Sequence, residues 1–104
     1  MEKNQFQSQL LKALGHPLRL KVVKKLLKGE QCVCELAPAL DCEQSNLSKH
    51  LGVLKKAGIL VSKKDGLKVI YMIKHKEILS LLQIIDNIQE KEIKALQRLF
   101  YEEE

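Results

Sequence analysis

No stretch of about 18 consecutive apolar residues occurs in the 104-residue chain, which excludes a membrane-spanning helix. The opening "MEKNQFQSQL" lacks the basic-then-apolar order of a secretory signal, so a cytoplasmic protein with no membrane partner is expected. Cysteines number three, an odd count that argues against a disulfide framework; in a reducing compartment the thiols are expected to stay free or to take a metal. Neither a Cys-x-x-Cys nor a His-x-x-His pair is present, and those are the spacings that close a tetrahedral zinc site or mark a thioredoxin-like enzyme. No internal repeat competes for attention, and the only low-complexity run is the terminal "EEE". A chain this short has room for one domain, residues 1 to 104, with a modest core.

What is present is asymmetric charge. Residues 1 to 75 hold fourteen Lys/Arg against six Asp/Glu, and residues 76 to 104 hold four against seven, so a basic body precedes an acidic end. Such a body suits a polyanion, and such an end suits protein or solvent. A membrane surface fits less well, because the basic residues are not gathered opposite an apolar, aromatic-rich helical face.

Hydrophobic spacing divides the chain into elements. Phe6, Leu10, Leu11 and Leu14 predict a helix over 4–14, stopped by Gly15; Pro17 and then Leu18, Val22, Val23, Leu26 and Leu27 predict a second over 17–28. Leu36, Ala37 and Leu40 mark a short third helix. After "DCEQS", Leu47, Leu51 and Leu54 mark a fourth that ends at Gly58. "ILVSKKDGLKVIYMI" is β-branched and alternating around Asp65-Gly66, which predicts a hairpin of strands 60–63 and 68–73. From Ile78 to Phe100 apolar residues keep helical spacing without proline or glycine. The predicted fold is mainly α with a β-hairpin wing, in the order α-α-α-α-β-β-α: a winged helix-turn-helix.

At about 100° per residue, residues 44 to 57 put Leu47, Leu51 and Leu54 on one side of the fourth helix and Ser45, Lys49, Gly52 and Lys56 on the other, with Asn46 and Ser48 on its shoulders. With Gln44 at its start, that polar, nearly carboxylate-free face can meet base edges and phosphates in a major groove of double-stranded operator DNA. An ordinary solvated helix face would look similar, but here it lies between a short helix and a basic hairpin. Lys63, Lys64 and Lys68 around the wing tip suit phosphate or minor-groove contact, and equally serve to keep an exposed strand edge from aggregating. The long last helix is too apolar for so small a body to cover. With the first helix it is expected to form the interface of a homodimer matched to two half-sites.

The stretch "CVCEL" carries sulfur chemistry. Side chains two apart diverge by about 200° in a helix but share a face in an extended segment, so Cys32 and Cys34 converge only if the start of the short helix is extended. Pro38 cannot donate the backbone bond that would tie to the Cys34 carbonyl, which weakens that turn. In this picture Val33 packs inward and both cysteines face out. Paired thiolates select soft or borderline acceptors such as arsenic, antimony, copper(I), zinc, cadmium or lead, and pyramidal trivalent arsenic suits so few sulfurs best. Cys42 is a third candidate ligand. It stands about 12 Å further along the axis if residues 34 to 41 are helical, and is otherwise a turn residue that happens to be a thiol. His16, His50 and His75 read as hydrogen-bonded structural residues.

With these residues in view, the chain resembles the ArsR/SmtB family of bacterial and archaeal metal-responsive repressors. "LKALGHPLRLKVVKKLLKGE", "CVCEL", "SNLSKHLGVLKKAGIL" and "KKDGLKVIYMI" carry the resemblance over nearly the whole chain. "CVCEL" is similar to the arsenic-sensing branch, whose signature reads Glu-Leu-Cys-Val-Cys-Asp-Leu-Cys. The resemblance implies that Cys32 and Cys34 are arsenic ligands and that residues 45 to 56 form the recognition helix. Ala37 stands where that branch has its third cysteine. Cys42 could substitute, a monomethylated arsenical could need only two sulfurs, or a small thiol could complete the shell. No cysteine precedes Cys32, as the cadmium/lead type requires, and no His stands beside Asp86 and Glu90, as the zinc type requires.

The implied function is a homodimeric DNA-binding repressor, not an enzyme, with no permanent cofactor, released from its operator by As(III) or Sb(III). An oxidant or electrophile sensor using the same thiols, or a sensor of another soft metal, is the alternative. A thiol redox enzyme and a protein-binding winged helix are more distant ones.

Overall fold

The first helix, α1 (Lys3–Leu14), turns only its C-terminal end inward, burying Ala13 and Leu14. In this computed structural model, which describes residues 2–102, α2 (Pro17–Leu26) follows after a two-residue corner. His16 is the N-cap of α2: its Nδ1 accepts the Leu18 N–H at 3.1 Å, and Pro17 takes the first helical position, where no N–H is needed. Val22, Val23 and Leu26 are buried. The helix stops two residues before the predicted 28, because Lys28 and Gly29 bond back three residues, to Lys25 and Leu26, in a tighter turn.

Hydrophobic spacing predicts no strand before the wing, but the fold has one. β1 (Gln31–Cys32) pairs antiparallel with β3 (Lys68–Ile73), Gln31 opposite Tyr71 and Cys32 opposite Ile70. α3 (Val33–Ala39) begins on the next residue. Its end is shaped by Asp41, left-handed at φ 51°, with the Asp41 N–H on the Pro38 carbonyl and the Cys42 N–H on the Ala37 carbonyl. That bond pair is a Schellman motif, in which the residue after the left-handed one packs back on the helix. Cys42 occupies that place and is half-buried against the core.

α4 (Gln44–Lys56) ends the same way. Gly58, at φ 81°, donates to the Lys55 carbonyl, and Ile59 donates to that of Leu54. β2 (Leu60–Asp65) then pairs with β3 from Leu60 opposite Ile73 to Asp65 opposite Lys68. The strand is two residues longer than expected, and Gly66-Leu67 forms the loop, with Gly66 at φ 64°. The sheet order is β1-β3-β2.

Leu14, Val22, Leu26, Leu36, Leu47, Leu51, Leu54 and Ile59 form the core, which α5 (Glu77–Glu102) joins through Ile78, Leu81 and Leu82. The remainder of α5 extends away from it. The radius of gyration, 16.7 Å, exceeds the roughly 13 Å of a compact chain this size for that reason. No helix among the described residues is long and apolar enough to cross a membrane.

Candidate DNA-binding face and thiol site

Burial of Leu47, Leu51 and Leu54 fixes the rotation of α4, and it leaves Gln44, Ser45, Asn46, Ser48, Lys49 and Lys56 exposed. The first turn holds no acidic side chain, and Glu43 at the N-cap makes no side-chain cap bond. Open amides and the positive end of the helix dipole therefore face outward together. A Cβ added at Gly52 would meet nothing within 4 Å, so the outer face is low enough for a partner to approach the backbone.

On the wing, Lys63, Lys64 and Lys68 are all exposed. Lys63 is tied to Glu30 at 3.3 Å, across to the loop before β1, while Lys55 of α4 donates to Ser62 Oγ at 2.7 Å. These two bonds fasten the wing to the body. Leu67 at the loop is fully exposed, a large apolar side chain at the tip of a basic hairpin.

The thiol pair departs from expectation in two respects. Cys32 and Cys34 are joined as a disulfide, with 5.2 Å between their Cα atoms, so they are not free thiols. Nor do both face outward with Val33 between them facing in. Cys32 is fully buried, Val33 half-buried and Cys34 exposed. The cause is the boundary between elements: Cys32 keeps extended geometry (φ −79°, ψ 161°) as the last residue of β1 and the N-cap of α3, whereas Cys34 already lies in the helix. This junction brings the sulfurs together without unwinding any helical turn. Glu35 reaches back from the helix and accepts the Cys32 N–H at 3.3 Å.

A cavity of about 260 Å³ opens at this junction. Cys32 and Cys34 form one wall, Gln44 and Ser48 of α4 another, and Lys68 and Tyr71 of β3 a third. Cys42 is elsewhere: it lines a different cavity with Asp41, Glu43, Ser45, Asn46 and Lys49. Among the described residues no three His, Cys, Asp or Glu side chains gather in a metal-holding arrangement. The structure thus brings Cys32 and Cys34 to the recognition helix and leaves Cys42 apart. Tyr71 and Leu67 were missed in the sequence; the alternation along β3 was the signal that could have placed Tyr71 on the cavity side.

Residues 16–62 match the model of the family described as bacterial regulatory protein, arsR family. An uncharacterized HTH-type transcriptional regulator of Methanocaldococcus jannaschii, MJ1325, is 35% identical over 89 residues, 85% of this chain and 100% of that protein. The cadmium resistance transcriptional regulatory protein CadC of Listeria innocua is 40% identical over 85 residues, 81% of this chain and 71% of its own. The chain belongs to the ArsR family of bacterial regulatory proteins. The crystal structure of Rv0081 from Mycobacterium tuberculosis superposes on this ArsR-family chain with a TM-score of 0.82 at 30% identity, covering 91% of this chain and 97% of that one. As a member of the ArsR family the protein is a DNA-binding transcriptional repressor of the winged helix-turn-helix class rather than an enzyme.

Proposed function

We propose that the protein acts as a homodimer on a two-fold operator and releases it when trivalent arsenic or antimony, inorganic or methylated, binds Cys32 and Cys34 as thiolates. The observation that carries this reading is the shared cavity: the sulfur pair, the start of the recognition helix and the wing strand line one space. An ion held there touches both DNA-contacting elements at once. The soft-ion chemistry agrees with the name of CadC, the cadmium resistance regulator 40% identical to this chain. With Cys42 in a separate cavity, the pair supplies two bonds, and a methyl group or a small cellular thiol takes the third position on arsenic.

The path from sulfur to DNA is short. Cys32 stands in the sheet opposite Ile70 and also caps α3, so a sulfur drawn toward an ion disturbs the wing strand and the helix that positions α4. Gln44, Ser45, Asn46 and Ser48 are assigned to base edges and phosphates, and Lys49, Lys56, Lys63, Lys64 and Lys68 to phosphates. Accordingly, Lys49→Ala should weaken binding evenly across duplex sequences and reduce the slope of log K against log salt by about 1.8, about 0.9 from each protomer, measured by anisotropy titrations at several salt concentrations.

The test is DNA binding by the phosphine-reduced wild type and by Cys32→Ser, Cys34→Ser and Cys42→Ser, each with and without arsenite. Wild type and Cys42→Ser should lose about 5- to 150-fold in affinity on adding arsenite, the usual range of coupling between sites, while the other two hold the DNA. Loss of the response in Cys42→Ser alone would overturn the assignment. The Cys32–Cys34 disulfide itself favours a second reading, an oxidant sensor. Release by peroxide and not by arsenite would establish it in place of the first.

A further inference from the structure

Arg19 of α2 joins three helices. Its Nε donates to the Ala13 carbonyl at 2.6 Å, and its Nη2 donates at 3.1 Å to the Lys12 carbonyl, which also accepts the Gly15 N–H, so the guanidinium covers the end of α1. The remaining nitrogen, Nη1, lies 3.2 Å from Nδ1 of His50 on α4. A guanidinium can only donate, so His50 Nδ1 must be the bare, accepting nitrogen of a neutral ring. The His50 ring also lies against that of His16, with centroids 4.5 Å apart. His16 is itself committed through Nδ1 to the Leu18 N–H.

We propose that the Arg19–His50 bond is a proton-sensitive link that sets the recognition helix against α1, so that protonation of His50 loosens α4 and weakens DNA binding. A proton on Nδ1 replaces the acceptor with a second donor and puts two cations face to face. Among the described residues no carboxylate pairs with either one. From α2 the facing groups are Arg19 and His16, and Lys12 of α1 and Lys56 of α4 line the adjoining cavity with Arg19. On the other elements packed against α4 the acidic groups are placed elsewhere: Glu35 of α3 accepts the Cys32 N–H, and Asp65 of β2 stands opposite Lys68 at the wing tip. Consistent with this, the His50 pKa is lowered from 6.5 by burial first, then by His16 and Arg19.

The sign follows from linkage. The unfolded chain takes up the proton near the ordinary histidine value while the folded chain resists it, so the unfolded state binds more protons below that point. The bond is intact above about pH 6.5 and is lost as pH falls from there through the lower folded value. This direction is opposite to the general electrostatic trend, in which added positive charge tightens binding to DNA.

The inference rests on α4 being the helix that contacts DNA, and its test has arms with and without DNA. The probe is a labelled duplex selected by the wild-type protein from a random pool at about pH 7.5. Wild-type binding should weaken progressively as pH falls below about 6.5, by up to roughly tenfold once His50 is protonated, as expected for loss of one hydrogen bond to a charged group. His50→Asn places Oδ1 where Nδ1 stood and cannot titrate, so its binding should not fall. His16→Asn keeps the cap acceptor and should retain the wild-type loss. In the second arm, the urea midpoint of wild type should drop over the same range while that of His50→Asn stays level. Equal acid sensitivity of wild type and His50→Asn in the urea arm overturns the link, even if no duplex is bound at any pH, which would instead overturn the DNA reading of α4. The ring-nitrogen NMR titration of the wild type is independent of any variant: a His50 pKa at or above the ordinary value also overturns the link.

Discussion

The double variant Ile88→Glu, Leu96→Glu is expected to sediment as a monomer and to bind duplex DNA at least about 100-fold more weakly than wild type. Both side chains belong to a face of α5 that nothing in its own chain covers: Ile88 is 62% exposed and Leu96 51%. At about 100° per residue, Ile85, Ile88, Ile93, Leu96, Leu99 and Phe100 fall in a stripe roughly 140° wide, while the core takes Ile78, Leu81 and Leu82 near the start of the helix. On α1, Phe6 and Leu11 add exposed apolar surface. Burial of each such side chain at a two-fold interface contributes about 1.5–3 kcal/mol, and symmetry doubles every substitution. Glutamates there replace that gain with carboxylates facing carboxylates. Affinity falls because a linked second half-site multiplies binding by its effective concentration, typically 10²–10⁴-fold. Since neither residue supports the fold of its own chain, circular dichroism should remain unchanged. A dimer that survives in sedimentation would sink the interface.

Leu51→Ala should lower stability by about 2–5 kcal/mol, a large share of the 5–15 kcal/mol typical of a whole domain. Leu51 is fully buried on the inner face of α4, among the core residues that position the recognition helix, and truncating it leaves a cavity that the close packing of neighbouring helices cannot readily fill. The measurement is the urea midpoint at fixed protein concentration, because the midpoint of the proposed dimer would depend on concentration. Val53→Ala, on the exposed side of the same helix, provides the comparison and should shift the midpoint little. Equal shifts for the two would mean that α4 is rotated from the position described.

Much of this was legible in the sequence because the helices are amphipathic and the stops are glycines. Leu47, Leu51 and Leu54 define a face by spacing alone, Gly58 ends α4 as a left-handed residue must, and Asp65-Gly66 marks the hairpin. What could not be read was short or irregular. β1 is two residues long, too short to show a period, and its existence depends on β3, some 40 residues away. Asp41 adopts φ 51° with no glycine to announce it. The sulfur pair was misread because the change from period 2 to period 3.6 falls between Cys32 and Val33. Neither period alone gives which cysteine is buried.

The unequal burial of the two sulfurs gives any capture an order in time. An electrophile arriving from solvent meets Cys34, which is exposed, before it can reach Cys32, which is not. Under the proposed function, the first bond in the reduced protein would set how fast the ion is taken, and the second, made in the interior, how long it stays. On that reading, dilute inducer would be sampled at the surface and retained only when the buried partner closes on it, so brief encounters would leave the repressor on its operator.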